Sequence, residues 1–203
     1  MVGEMEKRAR LEKLNGECAA YFDALYAPDR KVYVFGDGDA QARIVLVGEA
    51  PGEQETLLGK PFVGKAGRNL DAFLEMSGLR RAELYITNAV KFRPVKVSEK
   101  GRASNRTPTR EEVGLFLPWL RRELEVLRPE VIVTLGNVPL RALMGNGVVI
   151  GQVHGELAAC EAGRVFPLYH PASIVYNPSL REVYARDVMR FGQLARERGW
   201  TEK

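Results

Sequence analysis

The sequence predicts an α/β protein, a three-layer α/β/α arrangement around a central, mostly parallel four-stranded sheet. Three observations lead there. Four apolar runs, at residues 44–47, 84–86 continuing to 90, 131–135 and 165–169, are short, β-branched and nearly continuous, as strands covered on both faces should be. Helical patterns lie between and around these runs, the alternation that builds a parallel sheet with helices on both sides. The chain has 203 residues, 45% of them apolar, which suits a single hydrophobic core.

In chain order, residues 4–26 form the first helical pattern, and residues 32–35 are a candidate edge strand before the FGDGD turn. Residues 66–76 place Leu70, Phe73 and Leu74 on one helical face and stop at Ser77-Gly78. Residues 110–127 follow a Thr107-Pro108-Thr109 cap and end before Pro129; residues 179–198 follow Pro178. No internal repeat or linker divides the chain, so residues 1–203 are expected to be one domain. Residues 95–106 (VKVSEKGRASNR) lack an apolar period and carry Lys96, Lys100, Arg102 and Arg106 against Glu99, the composition of a basic, mobile loop.

The charged start, MVGEMEKRARLEKLNGE, lacks the apolar stretch of a signal peptide, and no run approaches the roughly 20 apolar residues of a membrane span. A soluble, cytoplasmic protein with no membrane partner is the expectation. Cys18 and Cys160 are too few for a disulfide framework or a four-thiolate metal site, so no metal and no cofactor are expected. A net charge of +4 and a pI near 9.1 suit a polyanionic partner, although many proteins of other function are this basic.

In an open α/β sheet, ligands bind beyond the carboxyl ends of the strands. Gly48-Glu49-Ala50-Pro51-Gly52-Glu53-Gln54-Glu55 follows the first strand, Asn88 ends the second, Gly136-Asn137 follows the third, and His170-Pro171-Ala172-Ser173 follows the last. An acidic Gly/Pro turn, an amide and a histidine thus converge on one edge. Each also fits a plainer role: a tight turn, a cap, a satisfied polar side chain. Phe62, between the glycines of Gly59-Lys60-Pro61-Phe62-Val63-Gly64, is core filler by type, yet a large aromatic in such a loop must cover some surface. His154 is read as non-functional. The pattern predicts a site and not yet a reaction.

The segments GEAPGEQETLLGKPFVGKAGRNLDAFLEMSGL, LYITNAVKFRP, NRTPTREEV, RPEVIVTLG and YHPAS resemble, in order and spacing from about Val34 to Tyr184, the family-four, thermostable-type uracil-DNA glycosylases. The resemblance implies hydrolysis of the N-glycosidic bond of a uracil flipped out of DNA. It makes residues 48–51 (Gly48, Glu49, Ala50, Pro51) the wall of the uracil and water site, Phe62 the aromatic that stacks on the base, Asn88 the amide that reads it, and His170 the group facing a uracil carbonyl. Asn offers both a donor and an acceptor for such an edge. A monomer acting on uracil-containing DNA is expected, with Lys60, Lys91, Arg93, Lys96, Lys100, Arg102 and Ser173 as candidate DNA contacts.

The chain departs from the resemblance in three places. Ala50 stands where better-known uracil-DNA glycosylases carry a water-orienting aspartate, which family four also lacks; Glu49 and Glu55 become the candidate catalytic carboxylates, unranked. The family's four iron–sulfur cysteines fall at Tyr21, Ala24, Phe92 and Phe116, so no cluster is expected. A hydrophobic contact should replace it, with Phe92 and Phe116 packed on a helical face carrying Tyr21 and Ala24. Finally, Asn105 stands where a branch that traps DNA covalently has histidine. A non-catalytic binder of uracil-containing or damaged DNA and a same-fold glycosylase preferring another deaminated base, such as hypoxanthine or xanthine, are the alternative functions.

Overall fold

The computed structural model describes residues 3–201. Its main sheet has six strands in the order β1-β3-β2-β6-β8-β7. The four expected strands are its centre: β2 (Ile44–Gly48), β3 (Leu84–Asn88), β6 (Val131–Leu135) and β8 (Gly163–Leu168), all parallel. Two short antiparallel strands, β1 (Asp37–Gly38) and β7 (Ala158–Cys160), extend the edges.

The central runs read as continuously apolar because their alternate residues enter different cores. Ile44 and Leu46 of β2 face the core made with α3 (Lys65–Ser77) and the C-terminal helix (Arg181–Glu197); Val45 and Val47 face the core made with α4 (Arg110–Leu127) and α5 (Asn137–Met144). The result is the expected three layers. Thr109 caps α4, its hydroxyl accepting from the Glu112 amide while the Glu112 carboxylate accepts from the Thr109 amide.

Several sequence expectations need correction. Residues 32–35 do not form the edge strand; this segment crosses the end of β3, where the Val34 amide donates to the Lys91 carbonyl at 2.7 Å and Tyr33 bridges Phe92. The second strand stops at Asn88: the Ala89 amide makes the last ladder bond, to the Gly48 carbonyl, and the next amide, of Val90, leaves the ladder's alternation for the Glu49 carbonyl. Residues 95–106 are a hairpin, β4 (Val95–Val97) antiparallel to β5 (Ala103–Asn105), tied at its base by the Arg106 guanidinium, which reaches the Val95 carbonyl and the Glu112 carboxylate. The acidic turn after β2 continues into a one-and-a-half-turn helix, α2 (Glu53–Leu58).

Helix α1 (Glu4–Leu25) buries Leu11, Leu14, Cys18 and Phe22, one face at spacings of three and four. Tyr21 and Ala24 lie off that face and are exposed, so they are not the residues that meet Phe92 and Phe116. Phe22 does so: its ring stacks on Phe116 with centroids 3.8 Å apart and planes within 10°, and Phe92 adds a tilted contact to Phe116 at 5.8 Å. Tyr21 closes the rim, edge-on to Phe22 and tilted against Trp119.

An iron–sulfur cluster does not fit this place. The stacked rings occupy the space, and Cys18, the one thiol in the cluster of side chains, is pushed up to about 12 by burial, far from the thiolate form a metal needs.

Candidate active site

The carboxyl ends of β2, β3 and β8 open into a cavity of about 510 Å³, lined by Glu49, Ala50, Pro51, Glu55, Phe62, Asn88 and His170. The residues that sequence reasoning placed at strand ends are therefore brought together. Gly48 lies behind the wall: a Cβ there would collide with Asn88 Oδ1 and with the Phe62 ring, so only glycine lets those two side chains meet over β2.

Phe62 is buried with a positive φ of 53°, an uncommon conformation for an aromatic residue. Two neighbours hold it. The Arg81 guanidinium donates to the Pro61 and Phe62 carbonyls at 2.8 and 3.0 Å, and Gly67 packs so closely on the Phe62 carbonyl that a side chain there would overlap it. Its ring centroid lies 6.0 Å from that of His170, with the planes at 30°. A flat ligand stacked on Phe62 would have His170 within reach.

Asn88 is 2% exposed and its Oδ1 has no hydrogen-bond partner. An unmet buried acceptor is costly, about 1–3 kcal/mol, a cost that a ligand donor reaching it would relieve. His170 accepts the Ala172 amide on Nδ1 at 3.1 Å, which leaves the proton of the neutral ring on Nε2. Removal from water lowers the imidazole from its ordinary 6.5 to about 4, so at neutral pH it is an uncharged Nε2–H donor.

The two glutamates separate in role. Glu55 is buried and its carboxylate accepts three backbone amides, Gly52 at 3.1 Å, Val63 at 3.0 Å and Gly64 at 2.7 Å, binding the α2 turn to the Phe62 loop. Glu49 is half-buried in the cavity wall. Desolvation raises its pKa, and a hydrogen bond from the Thr107 hydroxyl opposes that rise.

Of the candidate DNA contacts, Lys91 is corrected. It is 3% exposed, and its ammonium is spent on Glu123, Thr87 and the Asn88 carbonyl, so no phosphate can reach it. Lys96, Lys100 and Arg102 are exposed on the hairpin, and Arg93 bonds Asn105 and Glu53 at its base. Lys60 is exposed beside Asp37, and the Ser173 amide donates to the His170 carbonyl. His154 tethers its loop to the C-terminal helix through Asp187 at 2.6 Å, away from the cavity. Sequence reasoning missed Thr107, Arg81 and Gly67 as supports of the site, although all three stand in or beside the segments that carry the resemblance. It also missed Tyr176, 86% exposed at the cavity mouth.

The family model of the uracil DNA glycosylase superfamily matches residues 35–190. The chain belongs to the uracil-DNA glycosylase superfamily. It is 42% identical over 170 residues to a type-4 uracil-DNA glycosylase of Archaeoglobus fulgidus, covering 80% of this chain and 81% of that protein. A type-4 enzyme of Thermotoga maritima is 38% identical, covering 84% and 87%. A type-5 enzyme of Pyrobaculum aerophilum is 35% identical, covering 69% and 66%. The crystal structure of SMUG2 from Pedobacter heparinus shares the fold, with a TM-score of 0.53 over 77% of each chain at 16% identity.

Among the described residues of this superfamily member, no group of three or more His, Cys, Asp or Glu side chains is placed to hold a metal ion. No helix of the described residues is long and apolar enough to cross a membrane.

Proposed function

We propose that the protein is a monofunctional DNA glycosylase that draws uracil out of DNA into this cavity and hydrolyses its N-glycosidic bond, leaving an abasic site. The observation that supports it best is the unpartnered, buried Asn88 Oδ1 beside the Phe62 ring, an acceptor waiting for the N–H of a flat base. The base stacks on Phe62, and His170 Nε2–H faces a carbonyl. As the bond from C1′ to the base breaks, its electron pair moves onto the base, and the developing oxyanion is met by that neutral donor. Water attacks C1′, and its proton passes by way of Glu49 to the expelled base anion, which leaves as the neutral base. Glu49 is the carboxylate assigned to orient that water, since Glu55 has three of its about four lone-pair directions committed to backbone amides. Lys96, Lys100 and Arg102 on the hairpin, together with Arg93, Lys60 and Ser173, are assigned to the DNA backbone.

The test is base release from oligonucleotides carrying uracil, hypoxanthine or xanthine, under single-turnover conditions. Free uracil and an abasic strand are expected, with His170→Ala slower by ~10²–10³, the usual cost of one such donor. Preference for hypoxanthine or xanthine, binding without release, or a wild-type rate in His170→Ala would overturn the reading.

A further inference from the structure

Behind the base-reading amide lies a buried charged cluster that the proposed chemistry does not touch. The Lys91 ammonium donates to Thr87 Oγ1 at 2.6 Å, to the Asn88 main-chain carbonyl at 2.9 Å and to Glu123 Oε2 at 2.6 Å. All three of its N–H donors therefore end inside the protein. Glu123, on α4 and 2% exposed, also accepts from the hydroxyls of Thr87 and Tyr85, each at 3.1 Å. The cluster joins α4 to the last two residues of β3, the second of which is Asn88.

Two features make stability a poor reason for this pair. Removing two ions from water is expensive, and apolar side chains of similar volume often serve a core as well or better. The pair is also placed where aim matters. Asn88 Oδ1 has no hydrogen bond within the fold, so its direction depends on the main chain from which it hangs and on Gly48 and Phe62 packed against it. That main chain is the turn gripped by Lys91. The same turn sends the amides of Ala89 and Val90 to the carbonyls of Gly48 and Glu49, at 2.8 and 3.1 Å.

We propose that Lys91 and Glu123 form a positioning pair, which fixes the Asn88 main chain and through it the amide that reads the base. The proposal rests on the reading of the cavity as a base-binding site. The pair touches neither base nor sugar.

The experiment is a double-mutant cycle between Glu123→Gln and Asn88→Ala, read as the single-turnover rate of uracil release with enzyme in excess. Glu123→Gln alone is expected to lower the rate roughly 10–100-fold, the scale of a displaced positioning group. In the Asn88→Ala background it is expected to cost almost nothing, because no amide is left to aim. A purely structural role would lose the same factor in both backgrounds, since independent effects add. That additivity, or a wild-type rate in Glu123→Gln, overturns the proposal. If Glu123→Gln does not fold, Thr87→Val, which removes the hydroxyl bridging the pair to β3, takes its place in the same cycle with the same deciding outcomes. A wild-type protein that releases no uracil would instead overturn the reading of the cavity, and the pair's role with it.

Discussion

At His170, the Ala172 amide on Nδ1 and the loss of water act in the same direction, toward a neutral ring with its proton on Nε2. The histidine was legible from its place after the last strand; its tautomer was not, because that depends on a backbone amide two residues on. The folded value near 4 lies below the ordinary 6.5, so the unfolded chain takes up this proton first as pH falls. The stability His170 contributes is complete above about 6.5 and is lost as pH drops toward 4. Melting temperatures of wild type and His170→Asn, followed from pH 7 to pH 4, should therefore drift in the variant's favour; parallel profiles would contradict the assignment. Activity should not titrate on His170 near neutrality. The acid limb of the rate profile should belong to Glu49, whose pKa burial raises and the Thr107 hydroxyl restrains. Thr107→Val should move that limb to higher pH, and an unmoved limb would give it to another group.

Among the elements, the long ones were the readable ones. The central strands and α3 and α4 were legible because burial on their faces writes a period into the sequence. The hairpin was not, since its strands are three residues each and exposed, held by backbone pairing and by Arg106 rather than by an apolar pattern. Its pairing puts Lys96, Lys100 and Arg102 on a defined arm beside the cavity. Replacing the three with Gln should weaken binding to all DNA sequences alike and flatten the salt dependence, by about one unit of slope per lost phosphate contact. An unchanged slope would leave the arm as a solvated hairpin. The contact of α1 with α4 was half legible: Phe92 and Phe116 were foreseen as buried, but the helix turns Phe22 inward in place of Tyr21. Phe116→Ala removes a fully buried ring from that stack and should cost ~3–5 kcal/mol in denaturant unfolding, with faster amide exchange in α1. A loss under about 1 kcal/mol would mean the site collapses around the gap and that the stack does not tether α1.

For the whole molecule, the convergence of three strand ends made the place of the site readable, whereas its inner wiring was not. Lys91 read as a surface cation because its partner, Glu123, comes 32 residues later on another element, and no local pattern signals such a pair. The same limit applies to what holds α1 on the body of the protein: the sequence showed which thiolates were absent and that rings should take their place, and only the packing showed that α1 supplies Phe22. Together these features make a testable statement about composition. With aromatic stacking between α1 and α4, and the proposed base site an amide, an imidazole and a carboxylate, neither folding nor chemistry is expected to call on a metal. The purified protein should be colourless and contain iron well below one equivalent. After exhaustive chelation it should melt at an unchanged temperature and release base at an unchanged rate. Stoichiometric iron, or activity lost on chelation and restored by one metal, would show that the stacked rings are not what replaced the cluster.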